Sequence, residues 1–374
     1  MIYLDNAATS GAKPQTVLTA VQAATELCAN PGRGAHRLAL SCLSVVQACR
    51  KAIAEHFGCP TPERVIFTKN CTEALNVLLQ GTLEQGDHVV TSCLEHNSVL
   101  RPLTHLKEQG IITFDVCPLE GGELRPSAIA SLCKANTKAV IITAASNVTG
   151  YAPDLTAIRA AIPENVLFFI DGAQAGGHIP LKMQGAGIDS ITLAGHKGLL
   201  GVQGSGVLIL SERVTPTPLI YGGTGSMSLH LSMPDFLPDC LEAGTLNYPA
   251  IAALLEGINH LTVHQAETSE RLIRLTAALI RGLKKLPHTR IYSKSNPCGI
   301  VAFEHTRHPS EYVAMLLSQK YDIAVRGGLH CAPLAHKALG TDGDGLVRVS
   351  FGNQNTEKDV ESLLFALRAI FMDE

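Results

Sequence analysis

The stretch 188-IDSITLAGHKGLLGVQGSGVLIL-210 holds two short apolar runs, SITLA and GVLIL, joined by a glycine-rich connection that carries one lysine, Lys197. Runs of this length, rich in β-branched and aliphatic residues and bounded by glycine, read as buried strands. Just upstream, 166-VLFFIDGAQAGG-177 repeats the pattern and places Asp171 at the carboxyl end of its strand. Working outward, the helix-period stretches VVQACRKAIAEHF, EALNVLLQG, LRPLTHLKEQG, AIASLCKAN and TAIRAAI alternate with RVIFT, HVVTS, ITFDV and KAVIITAAS. That alternation implies right-handed βαβ units and a mostly parallel sheet covered by helices on both faces, with ligands at the carboxyl ends of the strands.

Past GTLNYPAI the pattern changes. Apolar positions at helical spacing run from 250 to 286 behind Pro249, which suits a first helical turn. GIVAFE, DIAVR and LVRVSF then read as short strands of a smaller α+β domain. A chain of 374 residues exceeds what one core usually supports. The expected division is a large domain over 16–248 and a small one built from 1–15 and 249–374.

With 46% hydrophobic and 17% charged residues the chain is not disordered. Its 30 basic and 33 acidic residues show no run of one sign, so neither nucleic acid nor a membrane surface is the expected partner. The start, MIYLDNAATSGAKPQ, has neither a basic leader nor an apolar core, and no apolar run reaches the roughly 20 residues of a membrane span. Eleven cysteines without a C-x-x-C pair lie mostly in apolar surroundings, as reduced thiols of a cytoplasmic protein do.

Several residues carry candidate chemistry. In 65-VIFTKNCTEALNVLL-79 a strand gives way to a helix opening near Thr72, whose amino terminus either binds a phosphate or is merely capped by Asn70 or Thr72. Asp171, emerging from an apolar strand, needs a partner; a protonated ring nitrogen would serve, and so would the next helix's N–H groups. Lys197 alone reads as a surface charge or, where its surroundings neutralise it, as a Schiff-base amine. A helix-end phosphate site, a carboxylate and a lysine at consecutive strand ends are together the handles of pyridoxal phosphate. In 324-AVRGGLHCAPLAH-336, Cys331 occupies a glycine-rich turn that favours exposure, with His330 beside it to lower its pKa. The 222-GGTGS-226 turn either lines the site or is only a turn. GVQGSG lacks dinucleotide-fingerprint spacing, TDGDG lacks the calcium loop's final glutamate, and His330, Cys331 and His336 do not specify zinc, so no metal is expected.

In order, LDNAATS, TEALN, LEHNS, SNVTG, DGAQA, AGHKG, EAGTLN and RGGLHCAP resemble the class V aminotransferases of the pyridoxal phosphate fold type I, and most of all the cysteine desulfurases of the second group. The resemblance runs from residue 3 to about 355. It implies the fold type I architecture: a large domain with a mixed, mostly parallel sheet flanked by helices, plus a smaller α+β domain. It also implies that Lys197 binds pyridoxal phosphate and acts as base, that Asp171 pairs with the ring nitrogen, that His96 stacks on the ring, and that Gln174 meets the ring oxygen. Asn147 would lie near that oxygen or the substrate carboxylate. Cys71, Thr72 and His196 would form the phosphate end, joined by Thr245 from a neighbouring subunit, which makes the protein a homodimer with a shared site. Arg326 and Arg348 would grip the carboxylate of L-cysteine while Cys331 takes its sulfur as a persulfide and passes it to a thiol acceptor protein or reductant. Selenocysteine lyase, another class V reaction such as transamination or kynurenine cleavage, and a non-catalytic interaction protein are the alternatives. Two positions depart from the family's usual pattern. Ala194 stands where a serine normally touches the phosphate, at a cost of about 1.5–3 kcal/mol unless Thr192 or another hydroxyl compensates, and Cys71 stands where threonine or alanine is common.

Overall fold

A computed structural model describes residues 1–27 and 29–372. In chain order the elements are β1 (Ile2–Tyr3), α1 (Gln15–Glu26), α2 (Arg37–Phe57), β2 (Val65–Thr68), α3 (Cys71–Thr82), β3 (Asp87–Ser92), α4 (Asn97–Glu108) and β4 (Ile112–Cys117). Then come α5 (Pro126–Leu132), β5 (Thr137–Thr143), α6 (Leu155–Ala161), β6 (Leu167–Asp171), β7 (Ser190–Ala194), β8 (Gly206–Leu210) and the long α7 (Tyr248–Leu283). The last third holds β9 (Thr289–Ile291), β10 (Ile300–His305), α8 (Ser310–Tyr321), β11 (Ile323–Ala324), α9 (Pro333–Leu339), β12 (Val347–Ser350) and α10 (Glu357–Met372).

Seven strands form the main sheet in the order β2-β8-β7-β6-β5-β3-β4. From β7 through β4 all pairings are parallel, while β8 runs antiparallel to both its neighbours. The reason lies in the connections. Parallel neighbours need a crossover of roughly a dozen residues or more; the long 172–189 connection supplies one between β6 and β7, whereas the short 195–205 turn does not, so β8 returns antiparallel.

The sheet is apolar on both faces because alternate side chains leave each strand in opposite directions. Phe168 and Ile170 of β6 enter one core with Val46 and Ile53 of α2, whereas Leu167 and Phe169 enter the other with Leu75 of α3 and Val99 of α4. A third core packs Val301, Phe303, Val347 and Val349 of the β12-β10-β9 sheet against Leu363 and Leu367 of α10.

The helix α7 spans two of these cores. Ile251, Leu254 and Ile258 pack with the main sheet, and Leu272, Leu275 and Leu279 pack with the smaller one. Pro249 lies in its first turn, where the ring removes no needed N–H, and Asn247 caps it by accepting from Ala250 N. The expected strand DIAVR shrinks to the two residues of β11, because its only strand partner is the equally short β1. No helix of the described residues is long and apolar enough to cross a membrane.

Candidate active site

Four parallel strands deliver one candidate each at their carboxyl ends. His96 follows β3 and caps α4, its Nδ1 accepting from Ser98 N at 3.1 Å. Asn147 follows β5. Asp171 ends β6, in register with Thr143 of β5 and Thr192 of β7, and Lys197 sits in the turn after β7. These four side chains line one cavity of about 180 Å³, together with Thr72 and Gln174. Cys71, Ala194 and His196 are also part of its wall.

The turns after β6 and β7 approach each other backbone to backbone. A Cβ on Gly177 would stand 2.2 Å from the Gly198 carbonyl oxygen, and one on Gly198 would stand 2.2 Å from that of Gly176. The glycines beside Lys197 are therefore fixed by close packing of two loops rather than by a phosphate.

The phosphate-like corner lies at α3. Asn70 Oδ1 caps the helix by accepting from Glu73 N at 2.9 Å, and Ala74 N bonds to Asn70 O. Among the described residues, the N–H groups of Cys71 and Thr72 and the Thr72 hydroxyl have no partner. The capping and anion-binding readings of this segment thus hold together, since different N–H groups serve each.

Burial dominates the electrostatics. It pushes Lys197 below the ordinary lysine range, opposed by the nearby Asp171 carboxylate, and pushes Asp171 above the ordinary carboxylate range. Burial thus works against the charged form of each, and no hydrogen bond from the described residues reaches the Lys197 amine. His96 and His196 are both driven down to about 4 by burial and then by Lys197, so both rings are neutral near pH 7.

Asp171 divides its two oxygens. Oδ1 accepts from Ala173 N at 2.9 Å and from the Cys71 thiol at 3.7 Å, while Oδ2 has no partner among the described residues. Gln174 uses Nε2 on Ala7 O at 2.9 Å, and Asn147 uses Nδ2 on His330 O at 2.7 Å.

Cys331 is exposed, whereas the other described cysteines are buried or half-buried. It and His330 adopt left-handed backbone, φ 56° and 51°, a conformation that side chains other than glycine hold only under constraint. The tethers are Asn147 on His330 O and Asn97 N on Cys331 O at 2.8 Å. Cys331 shares an outer groove with Thr72, His96 and Arg101, and Thr72 and His96 also line the inner cavity.

Arg348 is buried at 1% exposure. It donates to Asp5 Oδ1 at 2.9 Å and Asn147 O at 3.0 Å, leaving Nε unpaired. Arg326 pairs with Arg348 only through the backbone, and its guanidinium bonds to none of the described residues.

One expectation needs correction, and two alternatives left open by the sequence close. His330 does not assist Cys331: its ring is buried, faces His336 and the Arg326 carbonyl, and is held far below the ordinary range by burial, so it carries no positive charge. Thr192 does not replace the hydroxyl missing at Ala194, because its Oγ1 is buried against Ile170 O and lies outside the cavity wall. The 222–226 turn also lies away from that wall, with Gly223 O accepting from Arg33. Thr245 lines a separate cavity of about 330 Å³ with Lys69 and Glu73 and does not meet Lys197 within one protomer.

Two contributors went unassigned in the sequence. Residues 5–13 strap the site: Asp5 holds Arg348, Ala7 holds Gln174, and the Thr9 hydroxyl contacts His196 Nδ1 at 3.1 Å. Lys13 and Ser10 both donate to His196 O. Polar LDNAATS, without helical or strand period, was the available signal. Glu95, fully buried, accepts from Ser92 Oγ at 2.5 Å and Thr143 N at 2.9 Å; its signal was a carboxylate next to the ring-stacking candidate His96.

A mostly parallel seven-stranded sheet with one antiparallel member, and a lysine and a carboxylate at the ends of adjacent strands, define the type I fold of pyridoxal phosphate-dependent transferases. The chain belongs to the class-V aminotransferase family, whose model matches residues 2–363. It is 31% identical to a probable cysteine desulfurase of Methanothermobacter thermautotrophicus, covering 97% of this chain and 92% of that one. It is also 31% identical to the cysteine desulfurase CsdA of Escherichia coli, covering 98% and 93%. Among solved structures it superposes on an apo cysteine desulfurase of Thermococcus onnurineus with a TM-score of 0.91 at 28% identity, covering 100% of this chain and 95% of that one.

Proposed function

We propose that the protein is a cysteine desulfurase that removes sulfur from L-cysteine, releases L-alanine and carries the sulfur as a persulfide on Cys331. One observation carries the reading: the only exposed cysteine among those described is held, on constrained backbone, in a groove that shares Thr72 and His96 with the cavity lined by Lys197 and Asp171. The similarity to named cysteine desulfurases along nearly the whole chain supports it.

The residues fit pyridoxal phosphate. The unpartnered N–H groups of Cys71 and Thr72, the Thr72 hydroxyl and His196 suit its phosphate; the free Oδ2 of Asp171 suits a protonated ring nitrogen; and the unbonded amine of Lys197 suits its aldehyde. His96 would lie on the ring face and Gln174 beside the ring oxygen. When bound, the cofactor supplies an electron sink for the pair released at the substrate's α-carbon.

The remaining steps belong to the chain. Arg348, through the Nε edge that Asp5 leaves free, and the unengaged Arg326 hold the substrate carboxylate, with Asn147 beside them. Lys197, whose pKa burial lowers from the ordinary lysine range, takes the α-proton on Nζ. The Cys331 sulfur, having given up its proton, attacks the substrate sulfur; the S–S bond forms as the C–S bond breaks, the β-carbon takes up a proton in place of the one Cys331 lost, and the α-carbon recovers its proton from Lys197 Nζ to give alanine. A thiol from a reductant or acceptor protein then attacks the outer sulfur and regenerates Cys331.

Thr245 completes the phosphate site from a second copy. Support comes from its place outside the home cavity and from the exposed apolar side chains Leu219 and Ile220, which line the same separate cavity.

The test is Cys331→Ala. The variant is expected to keep the visible absorbance of the bound cofactor and to lose alanine and sulfide formation from cysteine. Wild-type rates in that variant would overturn the assignment.

A further inference from the structure

Cys71 is the first residue of α3, yet its side chain turns away from solvent into the cavity floor. Its Sγ lies 3.7 Å from Asp171 Oδ1, and Thr192 and Lys197 are its other polar neighbours. Burial and the Asp171 charge push this thiol well above the ordinary range, so it stays protonated and acts as a donor. Ala173 N donates to the same oxygen, so Oδ1 receives two hydrogen bonds and Oδ2 none. A carboxylate is stabilised in its ionised form by each donor it gains, and a buried one depends on them because water is absent.

We propose that Cys71 is a positioning residue that, through its S–H bond to Asp171 Oδ1, holds Asp171 as a carboxylate, so that the proton shared between Oδ2 and the cofactor's ring nitrogen resides on the ring. The inference rests on the pyridoxal phosphate reading of the same cavity. Two features single out the thiol. It is the only side chain that donates to Asp171 among the described residues, and α3, the helix that presents its free N–H groups to the cavity, sets its position. The chain thus uses the start of one helix twice, with backbone at the phosphate end and side chain at the ring-nitrogen end.

The test is ring-nitrogen ¹⁵N NMR at fixed pH on protein reconstituted with ¹⁵N-labelled pyridoxal phosphate, comparing wild type, Cys71→Ala and Cys71→Ser. Loss of the donor in Cys71→Ala is expected to shift the ratio of protonated to unprotonated ring about 2- to 12-fold toward unprotonated, the worth of one ordinary hydrogen bond. Cys71→Ser, which keeps a donor at that place, should return the resonance toward wild type. A merely structural role would lower cofactor retention without moving the resonance. Identical ¹⁵N shifts in wild type and Cys71→Ala, or a serine variant that follows alanine, would overturn the proposal. Wild-type protein that takes up no label overturns the cofactor reading itself, and this inference with it.

Discussion

Glu95 shows what one buried carboxyl group does to stability. Burial pushes its pKa from the ordinary 4.5 up to about 8, with Ser92 and Thr143 N–H pulling the other way. Between those values the unfolded chain loses this proton while the folded protein keeps it. The unfolded state therefore binds fewer protons, and stability falls by about 1.4 kcal/mol per pH unit as pH rises through that window. Below the unfolded value both states are protonated and the slope vanishes. Glu95→Gln removes the titration and can keep both accepted hydrogen bonds on its amide oxygen. The expected outcome in urea unfolding is that the variant gains stability relative to wild type from about pH 5 to about pH 8; a pH-independent difference would contradict the burial argument. Residues of this kind were the least legible in the sequence. Lys197, Asp171 and Cys331 each have a plain structural reading alone and stand out only through their combination and the family resemblance. Asp5 and Glu95, which the sequence left unassigned, matter through contacts with residues as far as 343 positions away in the chain, which spacing cannot reveal.

Elements were far more legible than their junctions. Each strand of the main sheet carries an apolar run bounded by turn residues, and each helix a matching period, so β2 to β8 and α2 to α7 fall where the pattern puts them. Close approach between elements left only one trace in the sequence, glycine. In α7, Gly257 is such a trace: a Cβ there would stand 2.1 Å from Leu199 O, in the turn that follows Lys197. Alanine would gain about 1 kcal/mol of helix propensity. Pushing the helix off that turn costs about 1–3 kcal/mol by overpacking, and it displaces the lysine as well. Gly257→Ala is therefore expected to lower the melting temperature and weaken cofactor retention together, measured by calorimetry and by absorbance after dialysis. A stabilised variant with normal retention would show that α7 does not brace the lysine turn.

For the whole molecule, Leu229 and Leu231 are wholly or almost wholly exposed, at 98% and 107%, and Tyr221 at 73% lies on the same segment. Apolar side chains gathered this way mark an interaction surface more often than scattered ones do. Sedimentation should give twice the chain mass, and the double variant Leu229→Asp, Leu231→Asp should sediment as a monomer that retains cofactor poorly; a wild-type monomer with full activity would exclude the shared site. The pairing of β1 with β11 also has a bearing on how the chain is made. Ile2 meets Ile323 and Tyr3 meets Ala324, so the strap that orders Arg348, Gln174 and His196 has no strand to join until some 320 further residues have been synthesised. At translation rates of about 5–20 residues per second that is a wait of roughly 15 to 65 seconds. On the ribosome, the large sheet can assemble during that interval, but the active site is finished only as the last portion of the chain emerges.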